Sequence, residues 1–225
     1  MNIPLRSSNS EQRYGAAPKV IGTFDLDWAE YMHYLYLPVA MPDEGVRLPE
    51  RLRFLEHLVR GAMVSEAHNG YVYVTARRGH ATPGNPLNRP GWHTDGFGTD
   101  DINYIWTDRY PTLFAVQSFE GISDDHIASA AQFDEQADAA CAVTYPEKTL
   151  LRLDPFVVHS TPDIPPPGGE RSFLKISLSH DRYNLRGNSH NYLFDYDWKM
   201  WDRAEIRNDP AYAGGDAGPQ EVLVK

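Results

Sequence analysis

TLLRLDPFVVHSTPDIPPPGGERSFLKISLS, running from Thr149 to Ser179, reads as two β-rich segments around a loop. Residues 149–159 and 171–179 are rich in branched and aromatic side chains, whereas STPDIPPPGG at 160–169 holds four Pro and two Gly and can hardly be regular. The second segment alternates with a period of two: Ser172, Leu174, Ile176 and Leu178 share one face, and Arg171, Phe173, Lys175 and Ser177 share the other. Working outward, the same texture recurs at 71–77, 102–107, 112–119 and 141–145. The breaks between them are GHATPGNPLNRPG at 79–91, the turn at 108–111 and a short helical stretch near 124–138. Short strands separated by turn signals predict a mainly β, mostly antiparallel sandwich or barrel with flanking helices.

Upstream, Pro49 followed by ERLRFLEHLVRGAMVSEA predicts an amphipathic helix over 50–67, with Leu52, Leu55, Leu58, Val59, Ala62 and Met63 on one stripe and Asn69-Gly70 as its stop. The aromatic run Phe24, Trp28, Tyr31, Tyr34, Tyr36 is expected to pack against the sheet. Residues 1–19 are polar and expected to be loose, further helix is expected after about Asp195, and the Gly- and Ala-rich tail from Asp209 is expected to be partly ordered. One domain over 1–225 follows: a β core at 70–180, an N-terminal helical and aromatic segment at 20–68, and a C-terminal extension at 181–225.

Composition sets bounds on function. With 41% hydrophobic and 23% charged residues in 225, the chain has globular values and is not a disordered one. The longest stretch without Asp, Glu, Lys or Arg is 12 residues, from Tyr31 to Pro42, short of the roughly 20 that a membrane helix needs. MNIPLRSSNSEQRYG has no basic segment leading into an apolar one, so no secretory signal is expected. A single cysteine, Cys141, forms no internal disulfide; it is expected to be a small buried hydrophobe in a cytoplasmic protein. A net charge of −10 makes nucleic acid an unfavourable partner, although Arg77, Arg78 and Arg89 add local positive charge, and a small molecule or protein side chain is the expected substrate. No heptad seam indicates an oligomeric state.

Of nine histidines, only His93, in GWHTDGFG, has a carboxylate two residues on, and with 31 acids in 225 residues chance supplies about one such pair. Its context adds weight. Residues i and i+2 of an extended segment point the same way, so His93 and Asp95 can offer a nitrogen and an oxygen to one metal, with Gly91, Gly96 and Gly98 leaving room around them. His159, ending LLRLDPFVVH, is the expected third ligand; His126 and His180 read as surface histidines. Two histidines and a carboxylate leave three octahedral positions open, as in non-haem Fe(II) oxygenases. Arg171, twelve residues after His159, can hold a carboxylate bidentately. Lys175 shares its face as a second carboxylate partner, although a lysine there is expected to be solvated. The loop 79–91 carries Asn85, Asn88 and Arg89 as candidate substrate contacts, with Trp92 as a pocket wall or a packing residue beside Phe97. Asp100-Asp101 and Asp124-Asp125 read as solvated charge.

His93-Thr94-Asp95, then His159 after 63 intervening residues, then Arg171, resembles the HxD…H…R pattern of the iron(II)- and 2-oxoglutarate-dependent oxygenases, over roughly residues 70–180. The resemblance implies a double-stranded β-helix, the jelly-roll or cupin-like fold. It implies Fe(II) on His93, Asp95 and His159, 2-oxoglutarate held at its distal carboxylate by Arg171, and dioxygen as co-substrate. It implies hydroxylation of a C–H bond with release of succinate and CO2. Many members carry Ser or Thr two residues after the arginine, where this chain has Phe173, so Tyr104 or Lys175 would supply the second contact to the keto-acid. Two other readings share the ligands or the fold: a cupin-like isomerase or hydrolase on Zn(II) or Mn(II), and a non-catalytic jelly-roll binding module.

Overall fold

The computed structural model describes residues 14–26, 28 and 30–202. Its strands are β1 (Lys19–Thr23), β2 (Met32–Ala40), β3 (Tyr71–Ala81), β4 (Ile102–Thr107), β5 (Leu113–Phe114), β6 (Thr149–Leu153), β7 (His159–Ser160) and β8 (Gly169–Ser179). Its helices are α1 (Glu56–Ser65), led in by a 3-10 turn at Glu50–Leu55, and α2 (His126–Gln136), followed by a 3-10 turn at Ala139–Cys141. The chain is mainly β. Six strands form one sheet in the order β1-β6-β4-β8-β3-β2, every pairing antiparallel, and β5 and β7 form a second, small sheet. Single bridges widen the second sheet, His93 against His159 and Val143 against Phe114.

The period of two in β8 sorts its side chains between two cores. Leu174, Ile176 and Leu178 face α1, where Leu52, Leu55, Leu58 and Val59 meet Val72, Val74, Tyr104 and Trp106. Burying those four helix side chains is worth on the order of 6–12 kcal/mol. On the inner face Phe173 packs with Ile105, Leu151, Leu153, Phe114 and Val157 between the two sheets. Beyond the small sheet, Trp92, Ala115, Phe119 and Val158 pack with Phe133 of α2. The sheet is thus buried on both faces, and β8 is buried from Arg171 to Ser179.

Several boundaries differ from the sequence expectation. β3 runs on through Gly79, His80 and Ala81, because these pair with Arg171, Glu170 and Gly169; the irregular loop begins only at Thr82. The strand expected at 149–159 breaks after Leu153, where the Asp154-Pro155 turn bonds Phe156 N to Asp154 Oδ1 at 3.0 Å. That break lets the chain leave the large sheet as β6 and join the small one as β7. Only Leu113–Phe114 of 112–119 is strand, and 141–145 contributes a bridge at Val143. Cys141 is exposed, since it closes a turn capped by Asp138 rather than lying in a strand. Tyr14 is packed rather than loose, its ring 5.0 Å from that of Phe133, and Lys19 already pairs with Arg152. The aromatic stretch supplies β2, an edge strand, beyond packing against the sheet. Between Asp195 and Asp202 there is no helix; residues 1–13 and the tail from Asp209 lie outside the described residues.

Candidate metal centre

His93 and His159 are joined through their backbones: His93 N donates to His159 O at 3.0 Å and His159 N donates to His93 O at 2.9 Å. This hydrogen-bonded antiparallel pair sets the two imidazoles side by side, with ring centroids 4.6 Å apart. Asp95, two residues along, turns back toward them, and one donor atom from each of His93, Asp95 and His159 lies within 4.8 Å of the other two. Asp95 Oδ2 is 3.6 Å from His159 Nε2. The turn after Asp95 requires glycine: Gly96 has φ +72, and a Cβ there would stand 2.9 Å from Asp101 Cβ. On the other side Trp92 N donates to Asp134 Oδ1 of α2 at 2.6 Å, fixing the start of the ligand segment.

Each histidine is set for coordination by its own backbone. The Nδ1 of His93 lies 2.9 Å from Gly91 O and that of His159 lies 3.1 Å from Val157 O. Donation from Nδ1–H to those carbonyls assigns the tautomer that leaves both Nε2 lone pairs open. Burial, with His159 close by, holds His93 well below the ordinary imidazole range, so it is neutral. Burial opposes ionisation of Asp95, yet the Lys175 ammonium outweighs it and holds the carboxyl well below the usual range. Two imidazoles, that of His93 held neutral, and an ionised carboxylate make a donor set suited to a divalent transition metal.

Lys175 is buried, in contrast to the solvated lysine expected. Its Nζ donates to Asp95 Oδ1 at 2.9 Å and to the Tyr36 hydroxyl at 3.1 Å. Burial pulls its pKa down, and Asp95 and Tyr36 more than restore it, so the ammonium stays charged. Tyr36 had no sequence signal beyond the aromatic run. It sits at a bulge in β2 with φ +46, where the register against β3 shifts, and the bulge turns its ring onto Lys175.

Arg171 is 1% exposed and lies on the same face of β8 as Lys175. Its Nε donates to Tyr110 O at 3.1 Å, and its Nη1 donates to Pro86 O at 3.1 Å and to Asn88 Oδ1. Nη2 has no hydrogen-bond partner among the described residues. Burial pushes its pKa down to about 10, which leaves it charged at neutral pH. Of the loop residues, Asn88 therefore touches Arg171, Asn85 accepts from Leu87 N at 3.3 Å within its own turn, and Arg89 lies close enough to His93 to oppose its protonation. Trp92 is buried in the core over α2.

Tyr104 corrects a sequence expectation. It pairs with Ile176 across the β4–β8 ladder and so lies on the α1 face, donating to Glu66 Oε1 at 2.7 Å, with the sheet between it and Asp95. Asp101 is another: it is 3% exposed, not solvated, and accepts from the Tyr183 hydroxyl at 2.5 Å. Asp125 caps α2 through Ile127 N and Ala128 N. His126 opens α2 beside Phe97, and His180 lies against His68 with the rings tilted, neither of them in the triad. No helix among the described residues is long and apolar enough to cross a membrane.

No protein-family model matches the chain, and no curated protein is significantly similar to it.

Proposed function

We propose that the chain is a non-haem Fe(II)- and 2-oxoglutarate-dependent oxygenase of the cytoplasm, built on a double-stranded β-helix. The observation that carries this reading is the meeting of His93, Asp95 and His159 as one donor set with both Nδ1 atoms already bonded to carbonyls. The six-stranded sheet facing β5, β7 and the bridges at His93 and Val143 is consistent with a jelly roll.

Charge favours an anionic co-substrate. His93 is neutral and Asp95 is balanced by Lys175, so a divalent ion would bring net positive charge to the site, beside the cationic Arg171. Along β8, Arg171 and Lys175 are about 13 Å apart at their Cα atoms. Phe173, between them on the same face, offers an apolar floor suited to the methylenes of a dicarboxylate. Arg171 Nη2 is the group to grip the distal carboxylate; of the two residues expected to add a second contact, Tyr104 lies on the other face of the sheet and Lys175 is engaged by Asp95 and Tyr36. The Nε2 atoms of His93 and His159 and Oδ2 of Asp95 would hold the metal, while Lys175 keeps Oδ1 occupied, so that the carboxylate offers one oxygen. Bound Fe(II) with a 2-oxo acid would supply oxidation by dioxygen, hydroxylating a substrate C–H bond as the acid loses CO2. The substrate class is a small molecule or a side chain.

One observation favours the second reading, a cupin-like metal hydrolase or isomerase. Arg171 already holds three loop acceptors, so its role would be to brace the loop. Anaerobic titration of the metal-free protein with Fe(II) and then 2-oxoglutarate separates the two. A visible charge-transfer band that needs both, vanishes in His93→Ala and needs about tenfold more keto-acid in Arg171→Ala is the expected result. Fe(II) binding with no response to the keto-acid favours the second reading, and failure to bind metal removes both.

A further inference from the structure

The residues after β8 fold back over the edge strand β2 and leave a cleft of about 350 Å3. Its walls carry Tyr36, Tyr183, His190, Tyr196 and Trp198, with Arg186, Asn188 and Asp197 as polar lining. The rings are held in place. Tyr183 stacks on Tyr73 at 4.2 Å and meets Tyr36 edge-on at 5.1 Å, while Tyr196 lies 4.5 Å from Trp198 and 4.4 Å from His190. The segment that carries them is anchored to β2 and its flank: Ser189 N donates to Leu35 O at 2.7 Å, and Asn191 Nδ2 donates to Pro38 O at 2.8 Å and Arg47 O at 2.9 Å. A site whose ring-bearing walls are fixed before binding loses little order when a ligand enters.

The cleft is joined to the metal centre by one side chain. Tyr36 lines it and also accepts from Lys175 Nζ, which in turn holds Asp95. We propose that this cleft is the subsite that anchors the substrate of the oxygenase, and that it takes a planar aromatic or heteroaromatic ring of one or two cycles. Three observations select that chemistry. The volume lies at the lower end of small-molecule sites, room for such a ring and its substituents. Five ring side chains offer faces and edges for offset or edge-on stacking, which favours a planar ring over a saturated one. The one permanently charged cation of the lining, Arg186, is paired with Asp202 at 2.5 Å, so the cleft does not favour a polyphosphate chain.

As a ring site the cleft stands alone; as a substrate subsite it rests on the metal reading, and the experiment keeps the two apart. Saturation-transfer NMR on the full chain, with indole and adenosine as planar probes and cyclohexylmethanol as the saturated control, is run on the metal-free protein and again with Zn(II) or Mn(II). The expected result is transfer to the planar probes only, with Kd raised at least tenfold in both Trp198→Ala and Tyr196→Leu. Mn(II), but not Zn(II), then broadens the bound probe. Absence of transfer at millimolar probe, equal transfer to the saturated ring, or unchanged Kd in both variants overturns the ring site. Ring binding without broadening, in protein shown to hold Mn(II), overturns its role as a substrate subsite. Ring binding in a protein that takes up no Mn(II) upholds the ring site and overturns the metal reading instead.

Discussion

Lys175 and Asp95 are a buried ion pair, and such a pair is worth most when one partner is removed. Lys175→Met would leave the largely buried Asp95 carboxylate with only the imidazoles of His93 and His159 beside it, a loss of about 3–5 kcal/mol in thermal or urea unfolding. A divalent metal supplies the missing positive charge, so Zn(II) should raise Tm more in Lys175→Met than in the parent; an equal rise in both would separate Lys175 from the metal centre. At this scale the triad was legible: HxD spacing and a histidine closing an apolar strand pointed to His93, Asp95 and His159. The partners were not. Nothing in the sequence says that a bulge turns Tyr36 inward, that Asp134 of a distant helix holds Trp92 N, or that Lys175 is dry. Tyr104 failed as a site residue through parity, because alternation assigns two faces to a strand without saying which one meets the metal.

Helix α1 is tied to the sheet by more than its apolar stripe. Glu66, just past its last turn, accepts from Arg152 Nε at 2.6 Å and Nη2 at 2.9 Å and from the Tyr104 hydroxyl. The Arg152 hydrogen bonds are the main reason its carboxyl lies below the ordinary glutamate range, against the opposing pull of burial. A carboxyl with a depressed folded-state pKa stabilises above its unfolded value of about 4.5, and that contribution fades as pH falls through the folded value. Glu66→Gln should therefore cost about 1–3 kcal/mol at pH 7 and progressively less below pH 4.5, measured as urea midpoints against pH. Element type was well marked where periodicity was long, as in α1 and β8. It was poorly marked at 112–119, 141–145 and 154–158, where the small sheet uses only two-residue strands and single bridges. Those pairings are set by what lies across the gap, which local propensity does not report.

The large sheet has two edges, and they are treated differently. β1 is short and mostly exposed, while β2 is long and runs beside the returning residues 183–202, which bond to Leu35 and Pro38. A long edge left open invites pairing with another chain. Deleting residues 183–225 should thus bare β2 together with Tyr36 and Tyr73, and light scattering should show concentration-dependent association absent from the parent. A monodisperse truncated protein would mean that β2 protects itself. The layered β architecture followed from the alternation of strands and turns, whereas the return of the C-terminal extension onto β2 did not. That segment has neither period, and its contacts are made by loop backbone, Asn191 and a set of aromatic rings.

The backbone pair between His93 and His159 carries a consequence for redesign. Because two amide-to-carbonyl bonds tie His93 to His159, the spacing of the two imidazoles is built into the scaffold. Exchanging the third donor would act differently by residue: Asp95→Glu keeps the charge that Lys175 needs and changes only the reach of the oxygen, whereas Asp95→His offers a softer, neutral nitrogen and leaves the Lys175 ammonium without its carboxylate. On such a frame the third donor is the one position of the cluster whose chemistry changes with a single codon.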